Sequence, residues 1–393
     1  MAGNLEGTAP TSGVRTAIVV GGGIAGLSTA WSLARRGIAV DLVEQGPLPN
    51  PKSSSYDEHR INRHAYGRLE GYARLMPAAY RQWDLLWRDL GACHYEETGG
   101  LYVLRGEDGW HEATARQLDA MGIGHREVPR EEWAERLPMI APDGVERVVS
   151  VDSSGLLFPV RIVTDLVVRL AAMGVRLHAG TRVAAVDPER GAVTTADGRV
   201  LSADVVVVAA GAWIDRLVPA LKGEAVPSRQ AVIFLAPPAD LAETWAKAPV
   251  IVVRDAEDGL YTLPPRRGTR LKIGDHRFSR SGDADEDRAA TDQDVARLWR
   301  GLDKCFRDIG RYAVLEQKAC FYTVTEDESF AVRPIGPRGW AVSACSGHGF
   351  KLGPLVGEGV ARAIAGEAEA GAVSAWLAGR GAEPGLPAGD AVA

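Results

Sequence analysis

The chain has 393 residues, enough for two domains that share ample core. Its 45 basic and 51 acidic residues leave a formal net charge of -6, which gives no broad cationic footprint for nucleic acid or anionic lipid. The four cysteines, Cys93, Cys305, Cys320 and Cys345, are too few and too scattered for a disulfide framework and contain no CxxC pair, so reduced thiols and no bound metal are expected.

Residues 1–14 are small and polar and read as a disordered tail. A β-branched run from Thr16 then enters Gly21-Gly-Gly23-Ile24-Ala25-Gly26 and a helical pattern from Leu27 to Arg36. This strand, glycine turn and helix describe a dinucleotide site. Gly21 permits the tight turn, Gly23 the approach of backbone to a pyrophosphate and Gly26 close packing of helix on strand, with the helix N-terminus favouring negative charge. A second strand, Ile38 to Val43, ends at Glu44, eighteen residues after Gly26, where a carboxylate accepts both ribose hydroxyls of an adenosine. The uncharged stretch from Ala17 to Leu33 is this same unit and no membrane span, and no secretory h-region precedes it, so a cytoplasmic protein is expected.

Helical spacing between Tyr80 and Leu90 puts Trp83 and Trp87 one turn apart, as core or interface. Short β-like runs at Thr98–Leu104 and Val148–Leu157 flank a charged helical stretch, and Val175–His178, Thr181–Val183 and a Gly191–Gly198 hairpin follow. The buried run Ala203 to Ala210, closing on Gly211-Ala-Trp213, returns the chain to the nucleotide-binding sheet. Gln230–Leu235, Val250–Val253, Gly259–Leu263 and Arg270–Ile273 read as strands of an inserted sheet. Nucleotide-binding elements that recur in the middle and near the end fit a flavin held along its whole length better than a nicotinamide. The predicted fold is therefore α/β. A Rossmann-like FAD-binding domain from residues 15–90, 153–223 and 318–376 carries an inserted, mainly antiparallel substrate domain from residues 91–152 and 224–317, and a flexible tail follows from 377 to 393.

Near the C-terminus, Lys318-Ala-Cys320-Phe-Tyr322-Thr323 offers a thiol in a strand-like setting, and Ser346-Gly347-His348-Gly349-Phe350-Lys351 forms a glycine-broken loop ahead of a helix. Together with Gly21–Gly26, Arg60-Ile-Asn-Arg63-His-Ala-Tyr-Gly67, Ser154–Phe158, Gly211–Trp213, Arg229-Gln230 and Leu271-Lys272-Ile-Gly-Asp-His276, these segments resemble the flavoprotein amine oxidases of the monomeric sarcosine oxidase and N-methyltryptophan oxidase type, within the D-amino-acid-oxidase-like group, over about Arg15 to Ala375. The resemblance implies FAD joined through a thioether to Cys320, because a thiolate is the strong soft nucleophile available there. It implies that Lys272 lies over the flavin and promotes reaction with oxygen, that Arg60 raises the flavin's electron affinity, and that Arg63 and Lys351 hold a substrate carboxylate as planar fork and point charge. His276, Tyr261 and Tyr322 would line the pocket and orient the amine. Val183, Gly211, Trp213 and the Gly347–Lys351 loop join the glycine turn and Glu44 as expected cofactor contacts. Cys345, at a strand end, is expected to serve in packing.

The activity so implied is oxidation of a C–N bond in a secondary or primary amino acid to an imine, with oxygen reduced to hydrogen peroxide. A dehydrogenase that hands electrons to a carrier is the alternative. The partners are then a small amine and oxygen, with no nucleic acid and no membrane, and the protein is expected to be a monomer. Two segments depart from the family pattern: Tyr56-Asp57-Glu58-His59 replaces a Gly-Asp-Thr type sequence, and Pro264-Pro-Arg266-Arg267 replaces aromatic and glycine residues. The two additional arginines suggest an anionic or larger substrate.

Overall fold

A computed structural model describes residues 13–106 and 109–385. The β-branched strands Thr16–Val20, Ala39–Val43 and Val205–Val208 are buried almost throughout, the pattern of a parallel sheet covered on both faces. They pair in parallel with one another and with Arg176–His178 and Gly339–Ser343, and Ala331–Gly336 adds an antiparallel edge. The helices Ile24–Ala34 and Gly353–Ile364 pack together on this sheet, burying Leu27, Trp31, Val356 and Val360 in its main core.

The inserted sheet has eight strands, antiparallel except where Val250–Arg254 runs parallel to Gly100–Leu104. Period-two alternation sorts its residues. Ile251, Leu271 and Ile273 enter a core with Leu298 and Leu302 of the helix Asp292–Cys305. Val252, Tyr261 and Lys272 fall on the opposite face, toward the parallel sheet. A capping box at Thr291, whose hydroxyl accepts from the Asp294 N–H, starts that helix. A three-stranded sheet, Arg60–Arg63 with Ser154–Leu157 and Tyr95–Glu97, carries two of the arginines singled out above.

Several boundaries differ from the expectations. The run Val148–Leu157 is two strands, Arg147–Val151 in the large sheet and Ser154–Leu157 in the small one, because the chain bends between them. The helix around Trp83 is longer than its apolar stripe and spans Glu70–Leu90, with Pro77 inside. The first residues of the flexible tail expected from 377 are packed: Leu377 and Ala378 are buried, and Glu383 pairs with Arg81 and Arg362. Residues 1–12 and 386–393, assigned to tails from the sequence, lie outside the described residues. Among the described residues no helix is long and apolar enough to cross a membrane.

Candidate active site

A cavity of about 760 Å³ is walled on one side by the C-terminal ends of the parallel strands and on the other by the free face of the eight-stranded sheet. Strand ends of a parallel sheet are where such folds bind ligands. At this end Gly21 has φ 113°, and a Cβ on it would stand 2.2 Å from the Ala209 carbonyl oxygen. Gly26 lies behind the wall, where a Cβ would meet the Gly21 carbonyl oxygen at 1.9 Å, so its lack of a side chain seats the helix on the turn. Gly21, Gly23, Ile24 and Ala25 line the cavity at the start of the helix Ile24–Ala34.

Glu44 is buried beside them. Its carboxylate accepts from the Gly22 N–H at 2.7 Å, the Gly46 N–H at 2.8 Å and Asn50 Nδ2 at 2.8 Å. A carboxylate offers about four lone-pair sites, so one on Oε2 is left by these three donors, and Glu44 lines the cavity. Ser55 was not visible as a site residue in the sequence. Its hydroxyl accepts from the Ile24 N–H at 2.9 Å, tying the 50–55 loop to the helix N-terminus. Val183, Gly211 and Trp213 continue the wall, and the Trp213 indole donates to Asp285 at 2.8 Å.

The loop Gly347–Lys351 lines the other end. Trp83 holds it from behind, donating from Nε1 to the Lys351 carbonyl at 2.7 Å. His348 is wedged among Tyr66, Tyr72 and Phe330, and burial holds its pKa well below the usual 6.5, so the ring is neutral. Its Nε2 sits 3.1 Å from the Glu328 carbonyl and must therefore carry the hydrogen, leaving Nδ1 to accept from the Tyr66 hydroxyl at 3.3 Å. This histidine pegs the loop in place.

Lys351 is 6% exposed and lies 5.1 Å above the Tyr66 ring, while the Arg63 guanidinium lies 5.9 Å from the same ring and 5.9 Å from that of Tyr102. Among the described residues neither cation has an acidic partner within ion-pair distance. Burial, reinforced by Arg63, depresses the Lys351 ammonium well below its ordinary range. Two neighbouring basic groups with no acidic partner among the described residues favour an anion between them, which would restore the Lys351 proton.

Between the two ends stand Lys272, Arg60, Tyr261 and Tyr322. Lys272 is 1% exposed and its Nζ reaches the Asp57 carboxylate at 2.5 Å. Burial, then the neighbouring Arg60, lowers Lys272 to about 8 despite that partner. Burial likewise raises the phenols of Tyr261 and Tyr322, which stay neutral donors. Cys320 shares a strand face with Tyr322 and Lys318, just behind the cavity wall, and burial raises its thiol although Arg60 opposes the shift. His276 stands at the rim, its side chain 53% exposed and its Nε2 3.4 Å from the Glu328 carboxylate.

Three expectations need correction. Arg266 and Arg267 face away from the cavity, because Glu96 pairs with both at 3.0 and 2.9 Å and main-chain carbonyls at Ala248 and Tyr95 take their remaining donors. Besides Arg60, Arg63, Lys272 and Lys351, the basic residues on the wall include Arg105, Arg182, Arg216, Arg254 and Arg277, and Arg254 was accessible from the sequence through its alternation with Val252. Cys345 lines the cavity in addition to any packing role. Asp57, read only as a departure from a pattern, proves to be the partner of Lys272.

The sequence profile of the DAO family, described as FAD dependent oxidoreductase, matches residues 16–363. The chain belongs to this FAD-dependent oxidoreductase family. The monomeric sarcosine oxidase of Bacillus sp. (strain NS-129) is 29% identical over 358 residues, covering 88% of this chain and 91% of that protein. The N-methyl-L-tryptophan oxidase of Yersinia pestis (strain Pestoides F) is 26% identical over 349 residues, covering 87% and 92%. Among solved structures, NikD, an amino acid oxidase of nikkomycin biosynthesis, superposes with TM-score 0.78 at 20% identity over 95% of this chain and 99% of that one. L-proline dehydrogenase from P. horikoshii gives 0.77 at 21%, over 89% and 93%.

The residues present fit FAD. The side-chain-free Gly21 turn opens on a helix N-terminus, the open lone pair of Glu44 lies beside it, and the cavity continues from there to Lys272 and Lys351 without leaving the wall.

Proposed function

We propose that this protein oxidises the C–N bond of a secondary or primary amino acid to an imine, with oxygen as the acceptor and hydrogen peroxide as the second product. The observation that carries this reading is the pair Arg63 and Lys351, two basic groups on one aromatic ring with no acid between them among the described residues. A substrate carboxylate supplies the missing charge. The guanidinium offers a planar fork and the ammonium a point charge, so the carboxylate is both bound and oriented. Neutral Tyr261 and Tyr322 hydroxyls are then available to the amine, and Arg60 and Lys272 supply fixed positive charge where electrons accumulate. FAD, when bound, accepts the hydride equivalent from the carbon bearing the amine and passes the electrons on to oxygen.

The sarcosine and N-methyltryptophan oxidases named above suggest N-substituted amino acids as the first compounds to try. Purified yellow protein is expected to release peroxide with N-alkyl or cyclic amino acids and to be bleached by them anaerobically. Bleaching without peroxide, and reoxidation only by an added carrier, would make the protein a dehydrogenase. The reading further takes the protein to be a cytoplasmic monomer, which light scattering checks for mass.

Cys320 is proposed to carry the flavin covalently. Acid precipitation should leave the yellow colour with the wild-type protein, and Cys320→Ser should release it to the supernatant. Colour retained by Cys320→Ser but lost in Cys345→Ser would move the attachment to the other cysteine near the ring site.

A further inference from the structure

The segment 56–59 that departs from the family pattern places a carboxylate in the interior. Asp57 is 4% exposed and meets three cations: Lys272 at 2.5 Å, Lys318 at 3.8 Å and Arg60 in direct contact. Its main-chain carbonyl accepts from the Val160 N–H at 3.3 Å, which fixes the backbone as well. Burial would raise this carboxyl, but Arg60, Lys272 and Lys318 hold it far below the ordinary carboxylate range, so it is ionised.

Lys272 needs such a partner. An ammonium buried to 1% exposure loses its hydration, and Arg60 beside it adds repulsion. The other groups around it offer little help. The His59 carbonyl is 3.5 Å away, while the His59 ring is turned to the Arg270 carbonyl and kept neutral by burial; Cys320 is a thiol and Tyr261 a phenol, both raised by burial. Lys318 is itself a cation on the far side of Asp57. Asp57 is the one ionised acid facing Lys272 among the described residues.

Resting on the oxidase reading of Lys272, we infer that Asp57 is the positioning residue for this lysine: its carboxylate fixes the ammonium on the cavity wall and keeps it charged, leaving an N–H group for the flavin and oxygen side. An ammonium has three donors; Asp57 takes one and the His59 carbonyl, at 3.5 Å, a second, which leaves one. Because Lys272 is protonated below about 8, its charge is lost as pH rises through that value. Removing the carboxylate lowers that midpoint further, since an opposite charge at this distance contributes ~1–3 pH units.

The test follows the flavin absorption spectrum of oxidised protein against pH, with no turnover required. Wild type is expected to show a transition near pH 8 that is absent in Lys272→Met and displaced downward by about one unit or more in Asp57→Asn. The reoxidation rate of Asp57→Asn should fall off with pH over the same lower range. Should Asp57→Asn fail to fold with its three cations unbalanced, Asp57→Glu moves the charge relative to Lys272 and must displace the same midpoint. A midpoint unmoved in whichever variant folds, or a transition that persists in Lys272→Met, overturns the inference. A displaced midpoint combined with oxygen reactivity indifferent to Lys272→Met would leave the Asp57 linkage standing and remove the oxidase reading.

Discussion

Lys272→Met is expected to slow reoxidation of the reduced protein by oxygen about a hundredfold or more, while anaerobic reduction by substrate changes far less. Oxygen's first electron creates a negative charge, and a cation already fixed beside that point stabilises it without reorganisation. Deleting one such preorganised group commonly costs ~10²–10³ in rate. Lys272 is suited to this because it is buried, lines the cavity and is held by Asp57. Methionine keeps the length and apolar stem and removes only the charge. Stopped-flow mixing of photoreduced protein with oxygen measures one half-reaction, and anaerobic mixing with amino acid measures the other. Equal losses in both would reassign Lys272 to substrate binding or to structure.

Arg63→Ala is expected to raise the apparent substrate constant by about ten- to a hundredfold, because hydrogen bonds to a charged group contribute ~1.5–3 kcal/mol and the fork supplies two donors. Lys351 then holds the carboxylate alone, still desolvated and 5.1 Å above the Tyr66 ring. Simple carboxylates without an oxidisable amine should compete with substrate and perturb the flavin spectrum in wild type, and should lose that effect in the variant. Efficient turnover of a decarboxylated amine, with Arg63→Ala nearly silent, would take the protein out of amino-acid oxidation and leave only its flavin chemistry.

Some of this molecule is written in local pattern. The Thr16–Val20 run, the glycine turn and Glu44 are close in the chain, and each obeys a steric or electrostatic rule that needs no distant partner: positive φ at Gly21, no room for a Cβ at Gly26, a carboxylate at the end of the next strand. The α/β class and the inserted sheet followed from the spacing of such elements and the β-rich middle of the chain. Charge pairing was not accessible in this way. Arg266 and Arg267 read as free cations until folding brought Glu96 to them from about 170 residues away. Asp57 read as an irregularity until folding set it against Lys272, 215 residues on. A buried charge owes its protonation state to neighbours supplied by other strands, and only the packed sheets bring those neighbours together. The charge on Lys272, and the lack of an acidic partner for Arg63 and Lys351 among the described residues, are for that reason properties of the tertiary structure, although the family resemblance had already paired those two, whereas the nucleotide turn is a property of eleven consecutive residues, Thr16 to Gly26.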